Sequence, residues 1–178
     1  MSTQIPTFQT VSLTLRPLRE TDAPILHRIY QMKGVLAYFP TTVPPPLEKV
    51  GRWIASQEKH WLEHGYGNWG ITPQGATEIV GWAGLQFLPE LDETEVGFLL
   101  SSEYWGKGYA TEAALAALQF GFDRIRLDHI IALVHPDNRA SQRVIQKCGM
   151  DYLETIPLWG IQLMRNNISM EKYHHVHK

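Results

Sequence analysis

Two neighbouring stretches decide the fold of this chain: EVGFLL at residues 95–100 and YWGKGYATEA at residues 104–113. The first is an apolar run typical of a strand, and the second places Gly106 and Gly108 directly before a run of small, helix-favouring residues. A strand, a glycine loop and a helix in this order expose the free backbone amides of the helix N-terminus. Those amides carry a partial positive charge, and glycine allows the close backbone approach that an anion requires.

The glycine loop matches neither of the two common phosphate-binding patterns. The GxxxxGK[ST] spacing is absent, and Thr111 stands where the dinucleotide-binding GxGxxG pattern has its third glycine. Lys107 adds a cation to the loop. On the residues alone, a pyrophosphate site and a tight turn that serves only backbone geometry are both open interpretations.

Hydrophobic periodicity on both sides of this unit predicts one α/β domain of mixed strands and about four helices. We expect strands near residues 11–18, 67–72, 78–88, 94–101, 128–135, 151–156 and 161–172, and helices at 22–30, 47–64, 110–125 and 138–149. The prolines of residues 34–46 predict a loop, because they lack amide donors. Without a repeat or linker, we expect a single domain over residues 1–178, with its core at about 11–173.

Length and composition narrow the class of protein. A chain of 178 residues buries enough surface to fold without a disulfide or metal, and the single Cys148 favours a reducing compartment. The net charge of −2 argues against nucleic-acid binding through phosphate contacts. The N-terminus lacks a secretory signal, and no apolar run approaches the about 18 residues that span a bilayer. We therefore expect a soluble, cytoplasmic protein with no metal site and no nucleic-acid or membrane partner.

A second segment of interest, NRASQRVIQKCG, begins at Asn138 after a predicted strand. Asn138 is a good cap for the helix that follows, whatever else it does. Ser141 lies one turn into this helix and is either solvated or functional. Arg143 and Lys147 are, taken alone, typical of a solvated face, although the helix is short enough for them to reach a cofactor.

The two segments together resemble the GCN5-related N-acetyltransferase (GNAT) family. Residues 95–100 leading to residues 104–113 are similar to the acetyl-CoA signature of that family, written Q/R-x-x-G-x-G/A, with Trp105 in place of Gln or Arg. Residues 138–150 are similar to its N-x-x-S…K-x-G-F block, with Met150 in place of Phe. The opening segment at 13–23 is like the ribosomal-protein N-acetyltransferase (RimJ/RimL-type) branch. The resemblance covers nearly the whole chain.

The resemblance implies an α/β (α+β) fold with a mixed, strongly bent sheet of six or seven strands, flanked by about four helices. In that fold two strands, here 94–101 and 128–135, splay apart and hold the pantetheine arm of acetyl-CoA between them. The first strand pairs with the arm through its backbone, and the loop amides hold the pyrophosphate. The residues implied to bind acetyl-CoA are Phe98, Leu99, Leu100, Trp105, Gly106, Lys107, Gly108, Tyr109, Ala110, Thr111, Asn138 and Ser141.

The implied reaction is attack of a primary amine on the acetyl thioester, which requires a general base because the amine arrives protonated. Glu95 is the first candidate, since it precedes the cofactor-pairing residues on their strand; the alternative is a polar residue that is exposed or only orients the amine. His135, at the end of the neighbouring strand, is the second candidate. The family's tyrosine that protonates the thiolate aligns with Ile145, so Ser141 is the candidate donor, with a surface hydroxyl as the alternative.

The acceptor amine stays open at this stage. A protein N-terminal amine is one candidate, and antibiotics, polyamines and amino acids are others, because the same scaffold acetylates them. A catalytically silent acyl-CoA-binding module is the remaining alternative, which Ile145 favours. The acidic run at residues 90–95 either attracts a cationic amine or forms a solvated hairpin. We expect a monomer or homodimer, and a frayed terminus at His174, His175 and His177.

Overall fold

The chain folds around one eight-stranded sheet in the computed structural model, which describes residues 4–177. The strands are β1 (Phe8–Gln9), β2 (Leu13–Pro17), β3 (Asn68–Pro73), β4 (Gly81–Leu88), β5 (Glu93–Leu100), β6 (His129–Val134), β7 (Asp151–Leu158) and β8 (Ile161–Ser169). The helices are α1 (Ala23–Gln31), α2 (Leu47–His64), α3 (Tyr109–Phe120), α4 (Arg139–Lys147) and α5 (Met170–Val176). None of the helices in this part of the chain is long and apolar enough to cross a bilayer.

The sheet has the order β1-β2-β3-β4-β5-β6-β8-β7, and every neighbouring pair is antiparallel except β5 with β6. The parallel pair shares a single register position, Glu95 opposite Ile131, so the two strands part beyond it. The fold class is therefore confirmed. Eight strands and five helices replace the expected six or seven strands and four helices, because the two-residue β1 is too short to show periodicity and α5 was assigned to a strand.

Small residues bring α3 close to the sheet. Ala113, Ala114 and Ala117 are fully buried against the strands. A Cβ added to Gly121 would lie 2.7 Å from the Ile130 side chain, so a larger residue here would require that side chain to move. The α3 helix ends at Phe120, earlier than expected, and continues as one π-helical turn. This packing holds the N-terminus of α3 at the end of β5.

The expectation of a frayed C-terminus is wrong, and so is the strand expected to run to residue 172. Ser169 caps α5 by accepting a hydrogen bond from the Lys172 amide at 3.2 Å. Tyr173 is buried, with its ring centroid 5.0 Å from that of Phe122. The ring of His177 donates to the Cys148 carbonyl at 3.0 Å. These contacts order the helix and engage His177 in packing.

The loop between α1 and α2 crosses the open side of the β5–β6 gap, because Tyr38 and Phe39 line the cavities found there. The start of α1 is fixed by a buried ion pair between Arg16 and Asp22, with two contacts of 2.8 Å. Asp22 stands at the helix cap as expected, but its carboxylate bonds to Arg16 and to the Arg19 amide and not to the helix.

Candidate active site

A cavity of about 330 Å³ opens where β5 and β6 part. Its walls are the end of β5, the glycine loop, the first turn of α3 and one face of α4. All of the predicted cofactor residues except Lys107 line it, namely Phe98, Leu99, Leu100, Trp105, Gly106, Gly108, Tyr109, Ala110, Thr111, Asn138 and Ser141. The fold thus brings together residues from two segments that are separated by an entire helix and strand.

The glycine loop has the geometry of an anion cradle. Gly106 and Gly108 have φ values of +75° and +81°, a conformation that strongly favours glycine. A Cβ added at either position would meet no protein atom within 4 Å, so the space beside the backbone is open. Gly108 is the residue before α3, and the first turn of that helix lines the cavity with amides that have no partner within the helix.

A smaller cavity of about 160 Å³ is lined by residues of both parting strands, β5 and β6. It shares five wall residues with the larger cavity: Tyr38, Phe39, Phe98, Asn138 and Ser141. Glu95, His135 and Ser141, the three residues predicted to be catalytic, all line this smaller cavity. Of the three, Ser141 alone faces both spaces, so it marks the junction between them.

Glu95 lies at the point where β5 and β6 separate. Its carboxylate accepts a hydrogen bond of 3.3 Å from the backbone amide of Leu133 on β6. Burial raises the pKa of Glu95 to about 7, and the bond from Leu133 only partly opposes this rise. A carboxyl group with this pKa is able to accept a proton near neutral pH, and Glu95 lines the smaller cavity.

His135 and Ser141 are positioned by the turn into α4. The Asp137 amide donates to Nδ1 of His135 at 3.1 Å, so the neutral ring carries its own proton on Nε2. The Ser141 amide donates to the side-chain oxygen of Asn138 at 3.1 Å, which confirms Asn138 as the cap of α4. This cap uses only the backbone amide of Ser141, so the Ser141 hydroxyl is not needed for the cap. Ser141 lines both cavities.

Comparison with known proteins identifies this arrangement. The model of the family described as Acetyltransferase (GNAT) domain matches residues 12–151. The chain belongs to the GNAT acetyltransferase family. GNAT acetyltransferases take the acetyl group from acetyl-CoA, which is therefore the co-substrate of this enzyme.

Relatives and solved structures agree with this assignment. YkkB of Bacillus subtilis, named as an uncharacterised protein, is 33% identical over 110 residues, which span 61% of this chain but only 64% of YkkB. The FsC-acetyl coenzyme A-N(2)-transacetylase of Aspergillus fumigatus is 30% identical over 171 residues, spanning 84% of this chain and 67% of that protein. The crystal structure of a GNAT-family acetyltransferase from Bacillus anthracis superposes with a TM-score of 0.80 at 24% identity, covering 93% of this chain and 99% of that one.

Two side chains of the loop depart from what the GNAT signature led us to expect. The Trp105 indole donates to the Leu100 carbonyl at 3.0 Å, so it ties the loop to the end of β5. The Lys107 ammonium lies 4.6 Å from the centre of the Tyr104 ring and does not line the cavity. The Lys107 ammonium thus lies over the Tyr104 ring, and its contact with the cofactor stays a prediction.

The cations of the larger cavity come from α4 instead. Arg143 and Lys147 line it together with Ala140 and Val144. These four positions follow the i, i+3, i+4, i+7 spacing of a single helix face. The helical spacing in the sequence already places Arg143 and Lys147 on one face of α4. Only the structure shows that this face lines the larger cavity.

The structure divides the acidic run of residues 90–95 instead of keeping it as one patch. Glu93 pairs with Arg165 through contacts of 2.9 and 2.6 Å and with His129 at 3.1 Å. Glu90 accepts from the Trp159 indole at 3.0 Å. Glu95 is the member of the run that lines the smaller cavity.

Among residues 4–177, no cluster of three or more His, Cys, Asp or Glu side chains is arranged to hold a metal ion.

Proposed function

We propose that this enzyme is an N-acetyltransferase, a single domain over residues 1–178, that acetylates a primary amine by direct attack in the smaller cavity. One observation carries the proposal: the Glu95 carboxyl, with a pKa of about 7, lines the smaller cavity, which meets the larger cavity. We call the larger cavity the acetyl-CoA groove, because its residues are the ones proposed to bind acetyl-CoA. A group that titrates near neutrality and sits in the amine's path is suited to remove the ammonium proton.

The groove fits acetyl-CoA through three features of this chain. Beyond Glu95 the β6-facing edge of β5 pairs with no strand in the described part of the chain. The backbone at residues 98–100 is therefore available to the pantetheine arm, apart from the Leu100 carbonyl, which accepts from the Trp105 indole. The open space beside Gly108 and the amides of the first turn of α3 suit the pyrophosphate. Arg143 and Lys147 supply positive charge on the facing wall.

In the proposed reaction the amine nitrogen forms a bond to the acetyl carbon and the carbon–sulfur bond breaks. Glu95 takes the proton that the ammonium loses before the attack and later releases it to solvent, and the second nitrogen proton passes to solvent after the attack. Ser141 donates a proton to the departing sulfur from the junction of the cavities and regains one from solvent. Ile145 is buried in the wall of the smaller cavity and has no proton to give, which leaves this task to Ser141.

Glu95 is preferred over His135 as the base because of the hydrogen bonds that each makes. The lone pair on Nδ1 of His135 already accepts from the Asp137 amide, so its neutral ring presents a donor, not an acceptor, at Nε2. The Glu95 carboxylate accepts one long bond and keeps its second oxygen for a substrate. His135 then has the role of a hydrogen-bond donor in the cavity wall.

The deciding test measures release of free thiol from acetyl-CoA with and without a mixed pool of primary amines. We expect thiol release that depends on the amines and on the protein, with acetylated amine formed in equal amount. If acetyl-CoA raises the melting temperature but no amine in the pool is acetylated, the chain is an acyl-CoA-binding module. That second function would agree with the apolar Ile145 in the cavity wall.

A further inference from the structure

We infer that the acceptor is a primary amine attached to an apolar body of aromatic size, with no second charge within the smaller cavity. The inference rests on the proposed N-acetyltransferase function and specifies the class of its acceptor. It follows from the charges that line the cavity, from the shape of its walls and from the way in which one wall residue is held.

The described walls of the smaller cavity contain a single carboxylate, Glu95, and no Lys or Arg. A polyamine or aminoglycoside would bring further cations into a space with no anion to pair with them. A free amino acid would bring a carboxylate that meets no cation there. Burying either charge without a partner is unfavourable, so the lining selects against both classes of amine.

The remaining walls are mostly apolar and aromatic. The largest apolar and aromatic side chains among them are Tyr38, Phe39, Trp82, Phe98, Trp159 and Leu163, and the polar ones are His135, Asn138 and Ser141. Trp82 is fixed from behind, because its indole donates to the Tyr30 hydroxyl at 3.1 Å. The faces and edges of these rings can pack against an apolar acceptor. A polycationic acceptor would find only one carboxylate in the walls, that of Glu95.

Trp159 is held over this cavity by an unusual turn. It occupies the two-residue turn between β7 and β8 with a φ of +52°, a conformation that is rare for a bulky side chain. Its indole donates to Glu90, which lies in the turn between β4 and β5, at 3.0 Å. The strained turn and the bond from a distant hairpin together place the indole as a wall of the acceptor site.

The first experiment compares the kcat/KM of four amines, each corrected for its fraction of unprotonated amine: 2-phenylethylamine, phenylalaninamide, phenylalanine and spermidine. Phenylalanine and phenylalaninamide differ only in the carboxylate, so this pair isolates the effect of the negative charge. We expect the first two amines to exceed the last two by about 10-fold or more. A peptide amide that begins with Phe, assayed beside 2-phenylethylamine, distinguishes a peptide N-terminus from a small amine as the source of this chemistry.

The second experiment uses variants of the two hairpins. Trp159→Ala should lower kcat/KM for 2-phenylethylamine by about 10-fold and for ethylamine far less, with unchanged acetyl-CoA affinity. Tyr152→Ala is the matched control, because this aromatic residue lies on the same hairpin, is 53% exposed against 44% for Trp159, and lines neither cavity. Glu90→Ala should share the loss, and Glu90→Gln, which keeps a hydrogen-bond acceptor, should restore activity.

The possible failures are distinguishable. Preference for spermidine or phenylalanine over 2-phenylethylamine overturns the inferred acceptor class and leaves the N-acetyltransferase function standing. An equal loss for 2-phenylethylamine and ethylamine in Trp159→Ala also overturns it. If acetyl-CoA binds and none of these four amines is acetylated, the inferred acceptor class is wrong. The proposed function itself is wrong only if the mixed pool of primary amines also yields no acetylated product.

Discussion

The chemistry at the scale of single residues depends on what burial does to one carboxyl group. Glu95 would titrate near 4.5 in water, and its place between the parting strands raises its pKa to about 7. A carboxylate of higher pKa is a stronger base, so the same burial that makes the ion unfavourable makes it useful for accepting a proton. The Leu133 amide prevents the pKa from rising further and fixes the direction of one oxygen.

The pH dependence of turnover should report this group. Wild-type kcat/KM for one amine should fall as pH decreases through about 7, because protonated Glu95 is unable to accept a proton. Glu95→Gln should lose on the order of 10²-fold and should lack this limb. The measurement is a pH profile from 5.5 to 9 with both forms. His135 and Tyr38 are the other titratable side chains in this cavity wall; an unchanged limb in Glu95→Gln would transfer the role of base to His135.

Ser141→Ala should lower kcat by about 10-fold or more and leave acetyl-CoA affinity nearly unchanged, because a donor to the departing sulfur acts mainly in the transition state. The fold should not suffer, since the helix cap uses the Ser141 backbone amide and the Asn138 side chain. The measurements are kcat, the dissociation constant of acetyl-CoA and the melting temperature. A kcat equal to that of the wild type would return Ser141 to the role of a surface hydroxyl.

At the scale of elements, the larger cavity, the proposed acetyl-CoA groove, is built from the end of β5, the first turn of α3 and one face of α4. None of these ends makes a site alone, because a helix N-terminus attracts anions weakly and is common in proteins. Their combination matters: free amides from α3, open backbone from the glycine loop and two cations from α4 face one cavity. The small residues of α3 that pack on the sheet hold these parts in place.

Gly108→Val should remove most of the thermal stabilisation that acetyl-CoA confers, because the added side chain fills the open space of the cradle. Gly75→Val is a matched control: Gly75 has a φ of +82° against +81° for Gly108, and a Cβ would be equally free of protein contacts. Both variants carry the same backbone strain and should melt earlier by similar amounts. An equal acetyl-CoA shift in the two would show that the anion binds elsewhere.

The cations of α4 should contribute to affinity in a salt-dependent manner. Arg143→Gln and Lys147→Gln should each weaken acetyl-CoA binding by about 10-fold at low salt and by less at high salt, because screening reduces attraction between partly exposed charges. Arg139→Gln is the control, since Arg139 lies on the same helix, is exposed, bonds to Gln142 and does not line the cavity. The measurement is titration calorimetry with acetyl-CoA at two salt concentrations. If Arg143→Gln and Lys147→Gln bind acetyl-CoA as tightly as Arg139→Gln does, the cations of α4 do not contribute to binding.

At the scale of the whole molecule, Glu95 also joins the two halves of the sheet. The register pair Glu95–Ile131 is the only one between β5 and β6 in the described part of the chain, and the Leu133 bond lies next to it. Burial makes ionisation of this carboxyl unfavourable, although the bond from Leu133 favours the ionised form. Catalytic use of a buried acid is here expected to lower the stability of the fold.

Stability should consequently depend on pH through Glu95. Its pKa is higher in the folded chain than in the unfolded one, so between about 4.5 and 7 the folded state binds the extra proton and the free energy of unfolding falls as pH rises. Below about pH 4.5 Glu95 is protonated in both states and does not lower the free energy of unfolding. Above about pH 7 it is ionised in both states and the free energy of unfolding is lowered by the full amount. Glu95→Gln should gain melting temperature relative to the wild type across this window and keep the gain at pH 8. A difference that stays constant with pH would contradict the raised pKa.

Local patterns in the sequence determined most of the elements and part of the site. Alternation and helical spacing located α2 with its observed bounds and placed β4, β5 and β6 within a few residues, because each element is long and one-sided. Asn138 as a helix cap and the positive φ of Gly106 and Gly108 followed from the side chains alone. Such features depend on neighbours in the chain, which the sequence displays directly.

Only the tertiary structure decided which polar groups meet and which are neutralised. Glu93 and Glu95 are two residues apart, yet Arg165 pairs with Glu93 while Glu95 turns into the cavity. The Lys107 ammonium lies over the Tyr104 ring, and Trp159, from a remote hairpin, lines the smaller cavity. The physical reason is that a charge is fixed by the partner it finds in space and a pKa by the burial it meets there. Both depend on contacts between segments far apart in the chain, such as the single pairing of β5 with β6 that opens the site.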